Sequence, residues 1–328
     1  MQYRKLGKTN IDVSAISLGT WQVGGKWGSD FDNANADTIL NNAIDAGINF
    51  IDTADVYSDG DSEKAVGRLI RSRTEKIYVA TKCGRQLNPH VSESYQPAVL
   101  RKFVEDSLKN MGLDTLDLIQ LHCPPPAVYY RPEIFELFDQ LKQEGKIQHL
   151  GVSVEKVEEA LKAIEYDNVE TIQIIFNMFR QRPAELFFSE AKKKNIGIIV
   201  RVPLASGLLT GKFSSVTKFT AGDHRTFNRA GEAFDKGETF SGIDYETGLA
   251  AVEELKQLFS GNINLAAIAL KWILQFDAVS CIIPGASNPQ QMQSNISALD
   301  VADLSEEQLQ AVQNIYEKYI KKSVHQLW

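Results

Sequence analysis

Apolar positions along this chain fall into two alternating rhythms, short continuous runs and longer stretches with helical spacing. The short runs are Ala15–Leu18, Asn49–Ala54, Ile77–Lys82, Leu116–His122, Ile147–Val154, Thr171–Phe176, Ile198–Val202 and Ser280–Ile283, each predicted as a buried strand. Between them the spacing predicts helices over Asp37–Ala46, Ser62–Arg71, Pro97–Met111, Glu133–Glu144, Val157–Ile164 and Ala184–Asn195. Gly47, Gly112 and Gly145 follow three of these helices, where a left-handed residue would end them. Tyr245–Phe259 and Leu265–Gln275 precede the last strand, and Pro289–Ala298 and Ser305–Lys321 follow it. Met1–Val13 reads as a small hairpin around a Gly-Lys-Thr-Asn turn. The rhythm breaks once, at Leu204–Thr239, a loop long enough to suggest a lid or a binding loop.

Repeated strand–helix pairs imply parallel strands joined by right-handed crossovers. Eight of them without a linker predict an α/β fold, a single (β/α)8 TIM barrel over residues 1–328 with an N-terminal hairpin and extra C-terminal helices. A doubly wound sheet is the alternative. It would normally place a glycine-rich fingerprint after the first strand, and Gly19-Thr-Trp-Gln-Val-Gly-Gly-Lys-Trp-Gly28 is not that pattern.

Composition narrows the picture only slightly. The 328 residues are 43% hydrophobic and 23% charged, ordinary for a globular protein. A net charge of −7 argues against a mainly electrostatic partnership with nucleic acid or an acidic membrane. Cys83, Cys123 and Cys281 have no spacing that suggests a metal site or a disulfide framework. No apolar run is long enough to span a bilayer, and a cytoplasmic location is expected.

The candidate chemistry lies at the ends of successive strands, which in parallel α/β folds carry the active site. Asp52 is near the end of the second barrel strand, with Tyr57 just beyond it, and the next two strands end in Lys82 and His122. Singly, each has an ordinary reading: a capping acid, a surface tyrosine, a paired lysine, a satisfied core histidine. Together they form a proton-delivery set. An ammonium favours the phenolate and should lower the tyrosine's pKa, a carboxylate orients the lysine, and a histidine donor can polarise a carbonyl. Such a set suits protonating an oxygen while hydride arrives at carbon, and hydride chemistry requires a cofactor.

The motifs Gly47-Ile-Asn-Phe-Ile-Asp-Thr-Ala-Asp-Val-Tyr57, Ala80-Thr-Lys82, Asp117-Leu-Ile-Gln-Leu-His122, Gly145-Lys-Ile-Gln-His-Leu-Gly-Val-Ser153 and Ile283-Pro-Gly-Ala286 resemble those of the aldo-keto reductase family, in its order. The resemblance implies a barrel that reduces aldehydes or ketones with NADPH, NADH being the competitor. It casts Tyr57 as general acid, Lys82 and Asp52 as its tuning pair and His122 as the group orienting a small carbonyl substrate. It places Gly19, Thr20 and Trp21 near the nicotinamide and Ser153 and Gln173 on its carboxamide. Val154 departs from the family's usual asparagine. Arg201 stands where many members stack an aromatic ring, so it is either a cofactor contact or a salt-bridged barrel residue. The stretch from Arg201 to Lys212 is similar to a loop that covers the pyrophosphate in bacterial members, with Pro203, Leu204, Ser206, Gly207, Leu209 and Lys212 as expected contacts.

Gly285, Ala286, Ser287, Gln291 and Asn295 match the family's adenosine-phosphate site, yet Gln291 occupies a commonly basic position. Lys212 and Arg225 are the basic groups that remain as candidates for a 2′-phosphate. Trp21, Trp27, Tyr129, Tyr130, Phe227 and Trp328 are expected on loops at the barrel mouth, as pocket lining or as anchors. Two other functions stay open: a Schiff-base lyase using Lys82, and a cofactor-sensing regulatory subunit with little turnover. Oligomeric state is not legible.

Overall fold

The computed structural model describes residues 1–25, 30–259 and 264–328. A hairpin of β1 (Tyr3–Lys5) against β2 (Asp12–Ser14) opens the chain. Eight parallel strands follow: β3 (Leu18–Gly19), β4 (Phe50–Asp52), β5 (Tyr78–Cys83), β6 (Leu116–His122), β7 (Ile147–Ser153), β8 (Val169–Ile175), β9 (Gly197–Arg201) and β10 (Val279–Ile282). Each pairs with the next, and parallel bridges Ile16↔Ile282 and Gly19↔Gly285 close the ring. The hairpin plugs one end of this barrel. Its Leu6, Ile11 and Val13 pack on the inward-facing Phe50, Ala80, Leu118 and Ile199.

The helices are α1 (Asn33–Asp45), α2 (Asp61–Ser72), α3 (Pro97–Met111), α4 (Pro132–Gln143), α5 (Val157–Ala163), α6 (Phe187–Lys193), α7 (His224–Phe227), α8 (Tyr245–Leu258), α9 (Leu265–Leu274), α10 (Pro289–Ile296), α11 (Glu306–Tyr316) and α12 (Lys322–Val324). Their limits follow local chemistry. Helix α3 begins with Pro97, whose missing N–H costs nothing at that position, and ends at Gly112 with φ 63°. Leu100, Val104, Ser107 and Met111 form its buried face. None of the described helices is long and apolar enough to cross a membrane.

The predicted elements are present with shifted limits. The first barrel strand is Leu18–Gly19 and shares only Leu18 with the predicted Ala15–Leu18, because Ser17 Oγ donates to Ser14 O at 2.7 Å in a turn just before it. The predicted helix Ala184–Asn195 is a 3₁₀ turn at Arg182–Ala184 and then α6, separated by Leu186 at φ −132°. The long loop contains 3₁₀ turns at Ala205–Thr210 and Lys236–Glu238 on either side of α7. The last predicted helix, Ser305–Lys321, widens at Glu317–Lys321 into a π turn before α12.

Candidate active site

Strand periodicity builds the site. Residues two apart on a strand share a face, and on several barrel strands that face changes from apolar to polar within one step. Phe50 is followed by Asp52, Ala80 by Lys82, Leu118 by Gln120 and His122, and Ile199 by Arg201. The inner layers are therefore core, and the layer at the C-terminal end of the strands is a polar network.

Asp52 and Lys82 lie at the centre of that network. Lys82 Nζ donates to Asp52 Oδ1 at 2.5 Å, to Thr53 O at 2.8 Å and to the Tyr57 hydroxyl at 3.3 Å. The second carboxylate oxygen, Asp52 Oδ2, accepts from Gln120 Nε2 at 3.0 Å and Gln173 Nε2 at 2.7 Å. Burial opposes the lysine's charge, but Asp52 and the Tyr57 phenol more than offset it, so its pKa rises. The network closes around Thr20, whose N–H and hydroxyl both donate to Asp52 O. Ser62 Oγ donates to Thr20 Oγ1 at 2.8 Å.

Tyr57 is held by an unusual backbone. Ser58 and Asp59 have φ 49° and 51°, a region that non-glycine residues enter at a cost of about 1–3 kcal/mol each. Gly60 then starts α2 at φ 84°. Burial raises the Tyr57 pKa, and the Lys82 ammonium only partly pulls it back. Lys82 acts in the expected sense, but desolvation is the larger effect and the net shift is upward. The phenol keeps its proton at neutral pH. The His122 ring stands edge-on to that of Tyr57, 6.2 Å between centroids. Burial, and then the charges of Lys82, Arg85 and Arg201, push its pKa well below the usual histidine range, so its imidazole is neutral.

A cleft of about 610 Å³ runs from this network to α10. It is lined by Asp52 and Tyr57 and by Gly19, Thr20, Trp21, Gln173, Arg201, Pro203, Leu204, Ser206, Gly207, Lys212, Gly285, Gln291 and Asn295 among the expected cofactor residues. Leu209 and Ala286 are fully buried, and Ser287 N and Oγ both donate to Gln291 Oε1. Ser153 is buried beside Cys123, 3.5 Å from its sulfur. Another cavity, about 830 Å³, is lined by Arg4, Lys192 and Lys271 and contains none of the expected site residues.

The aromatic residues expected at the barrel mouth meet different outcomes, Trp21 lining the cleft. Trp21 stacks obliquely on His224, 4.8 Å between centroids, and Phe227 lies against Phe234. Tyr129 is buried in the core, whereas Tyr130 is an exposed surface ring under the Lys162 ammonium. Trp328 is 6% exposed and lies 4.5 Å from the Arg180 guanidinium, an anchor rather than a pocket wall. Trp27 falls outside the described residues.

Sequence reasoning missed Gln120, the particular partners of Arg201 and the turn at Val202. Gln120 is a second donor to Asp52, and a polar residue within an apolar strand was its only signal. Arg201 donates to Val154 O at 3.1 Å and faces Glu155 at 2.9 Å and Glu238 at 3.4 Å, which joins three distant segments. Glu238 is pushed up to about 8 by burial and by Glu155. Val202, a β-branched residue at φ 50°, turns the chain out of β9 toward the cleft.

A nicotinamide dinucleotide fits what is present. The cleft is long, Gly285 opens into it with nothing nearer than 3.7 Å to an added Cβ, and α10 presents its N-terminus at the far end. Fold and cleft together define a (β/α)8 barrel with a cleft leading from the Lys82–Asp52–Tyr57 network. The model of the aldo/keto reductase family matches residues 15–317, and the chain belongs to that family. It is 30% identical over 328 residues to the uncharacterized oxidoreductase YqkF of Bacillus subtilis, covering 98% of this chain and 99% of that one. It is 30% identical to the NADH-specific methylglyoxal reductase of Escherichia coli, over 90% and 93% of the two chains. The solved glycerol dehydrogenase AKR11B4 from Gluconobacter oxydans superposes with a TM-score of 0.78, at 30% identity over 97% and 96%. The protein is an NAD(P)H-dependent oxidoreductase that reduces carbonyl groups to alcohols.

Proposed function

We propose that Tyr57 is the general acid of this reduction, with Lys82 and Asp52 fixing its hydroxyl and His122 directing the carbonyl oxygen toward it. A bound nicotinamide supplies the hydride. The observation that carries the reading is one lysine nitrogen bonded to Asp52, to Thr53 O and to the Tyr57 hydroxyl at once. With its pKa raised, the phenol enters the reaction protonated. The positive Lys82 beside it stabilises the phenolate left after proton transfer. His122, being neutral, has one N–H to donate, and its buried Nδ1 has no partner among the described residues. Donation from Nε2 to the carbonyl oxygen is the arrangement this leaves open.

For the coenzyme we favour NADH over NADPH. The N-terminal part of α10 contributes Asn288, Gln290 and Gln291 to the cleft and no cation. The Gln291 carboxamide oxygen already takes the Ser287 N–H and hydroxyl, which a 2′-phosphate would have to displace. Arg225 is bound by both Asp223 oxygens, at 2.9 and 2.6 Å. Lys212 lines the cleft and suits the pyrophosphate. A cytoplasmic site of action agrees with three buried free cysteines. The test is consumption of NADH and of NADPH with a panel of small aldehydes and ketones. Turnover with NADH at the higher kcat/KM supports both parts. Coenzyme binding without turnover of any carbonyl would contradict the catalytic reading.

A further inference from the structure

Arg85 is a cation with no assigned partner at the mouth of this site. It stands three residues beyond Lys82, on the loop leaving β5. The loop is well fixed. Gly84, at φ 101°, packs so closely on Tyr95 that an added Cβ would come 2.9 Å from the ring. Leu87 N donates to Gly84 O, the Tyr95 hydroxyl and His90 Nε2 are 2.9 Å apart, and Arg131 Nη1 donates to Ser92 O at 2.5 Å. A fixed loop presents its side chain at little entropic cost.

Among the described residues the half-buried Arg85 guanidinium makes no hydrogen bond or ion pair. The neighbouring arginines differ. Arg201 is held by Val154 O, Glu155 and Glu238, and Arg180 is buried beneath Trp328 and bonded to Glu155 O. Arg85 follows β5 at the C-terminal end of the barrel strands, the end that also carries Lys82 and His122, and its charge is one of the influences that lower His122. Glu155 and Glu238 both lie on Arg201, so neither is committed to Arg85. Partly desolvated and unpaired, a guanidinium is a forked donor matched to a carboxylate or phosphate.

We propose that Arg85 anchors an anionic group of the substrate, making the preferred substrate an aldehyde or ketone that also carries a carboxylate or a phosphate. The inference rests on the reductase reading and adds the substrate class. Two matched pairs of aldehydes test it: succinic semialdehyde against its methyl ester, and phosphonoacetaldehyde against its dimethyl ester. The wild-type protein should prefer the anionic member of at least one pair by tenfold or more in kcat/KM, and the pair that does so identifies the anion. Arg85→Ala should collapse that ratio toward unity, mainly through KM, and Arg85→Lys should restore part of it. A wild-type ratio near unity in both pairs overturns the proposal, as does a high ratio that survives in Arg85→Ala. If none of the four aldehydes is reduced, the anion site is judged by binding. Calorimetric titration of 4-hydroxybutyrate with NAD⁺ present would then support it by binding to wild type and not to Arg85→Ala. No binding to wild type would overturn it.

Discussion

Lys82 and Asp52 form a buried ion pair, 2.5 Å apart with side chains 1% and 2% exposed. Its geometry is complete, since Thr53 O, the Tyr57 hydroxyl, Gln120 and Gln173 occupy the remaining donors and acceptors. Replacing such a pair by apolar groups can be neutral, but removing one partner strands the other, at about 3–5 kcal/mol. Asp52→Asn should therefore lower unfolding free energy by several kcal/mol, about 3, and kcat by about a hundredfold or more. Denaturant titration beside steady-state rates checks both. A variant of normal stability and rate would show that the pair is incidental.

The pH dependence of reduction follows from which groups titrate. Tyr57 is raised above its ordinary 10 by burial, and His122 is lowered well below 6.5 by burial and then by Lys82. Neither changes charge across neutral pH. Asp55 and Glu238 are each raised to about 8, burial being the larger cause in both. The profile of kcat/KM should show no inflection near 6.5, and any change near 8 should disappear in Glu238→Gln or Asp55→Asn. An inflection near 6.5 that His122→Asn removes would contradict the neutral histidine.

Asp55 also affects stability. It is 3% exposed, and neither carboxylate oxygen has a partner among the described residues. Its folded pKa of about 8 lies above the ordinary 3.8, so the folded chain binds the proton more tightly than the unfolded chain. The stability linked to that proton is complete below 3.8 and is lost as pH rises through about 8. Asp55→Asn, which keeps the shape without the charge, should stabilise the protein by about 1–3 kcal/mol near pH 8 and by little near pH 4. Thermal unfolding at the two pH values provides the comparison.

The barrel and the four central residues were legible because both depend on local pattern. Period-two runs give strands, strand ends give the polar layer, and Asp52, Lys82 and His122 each stand at such an end. What was hidden depends on the packing of distant segments. Nothing near Arg201 announces Glu155 and Glu238, which meet it only when β7, β9 and the long loop converge. Tyr57 was assigned the wrong direction of pKa shift because the lysine is visible in sequence and the burial is not. Trp328 could be read as pocket lining or as an anchor because a terminal tryptophan gives no hint of the Arg180 face beneath it. The left-handed Val202 defies its own propensity, so a turn there could not be read from residue type.

The most direct measurement is single-turnover reduction of an aldehyde by Tyr57→Phe with coenzyme bound. Removing the hydroxyl leaves the Lys82–Asp52 pair in place and removes only the proposed proton donor. General-acid catalysis predicts a loss of about 10²–10⁴ in the rate of the chemical step, with coenzyme affinity changed by less than about threefold. A variant that reduces the aldehyde at the wild-type rate would contradict the assignment of Tyr57 and move the search for the donor to His122 or to water.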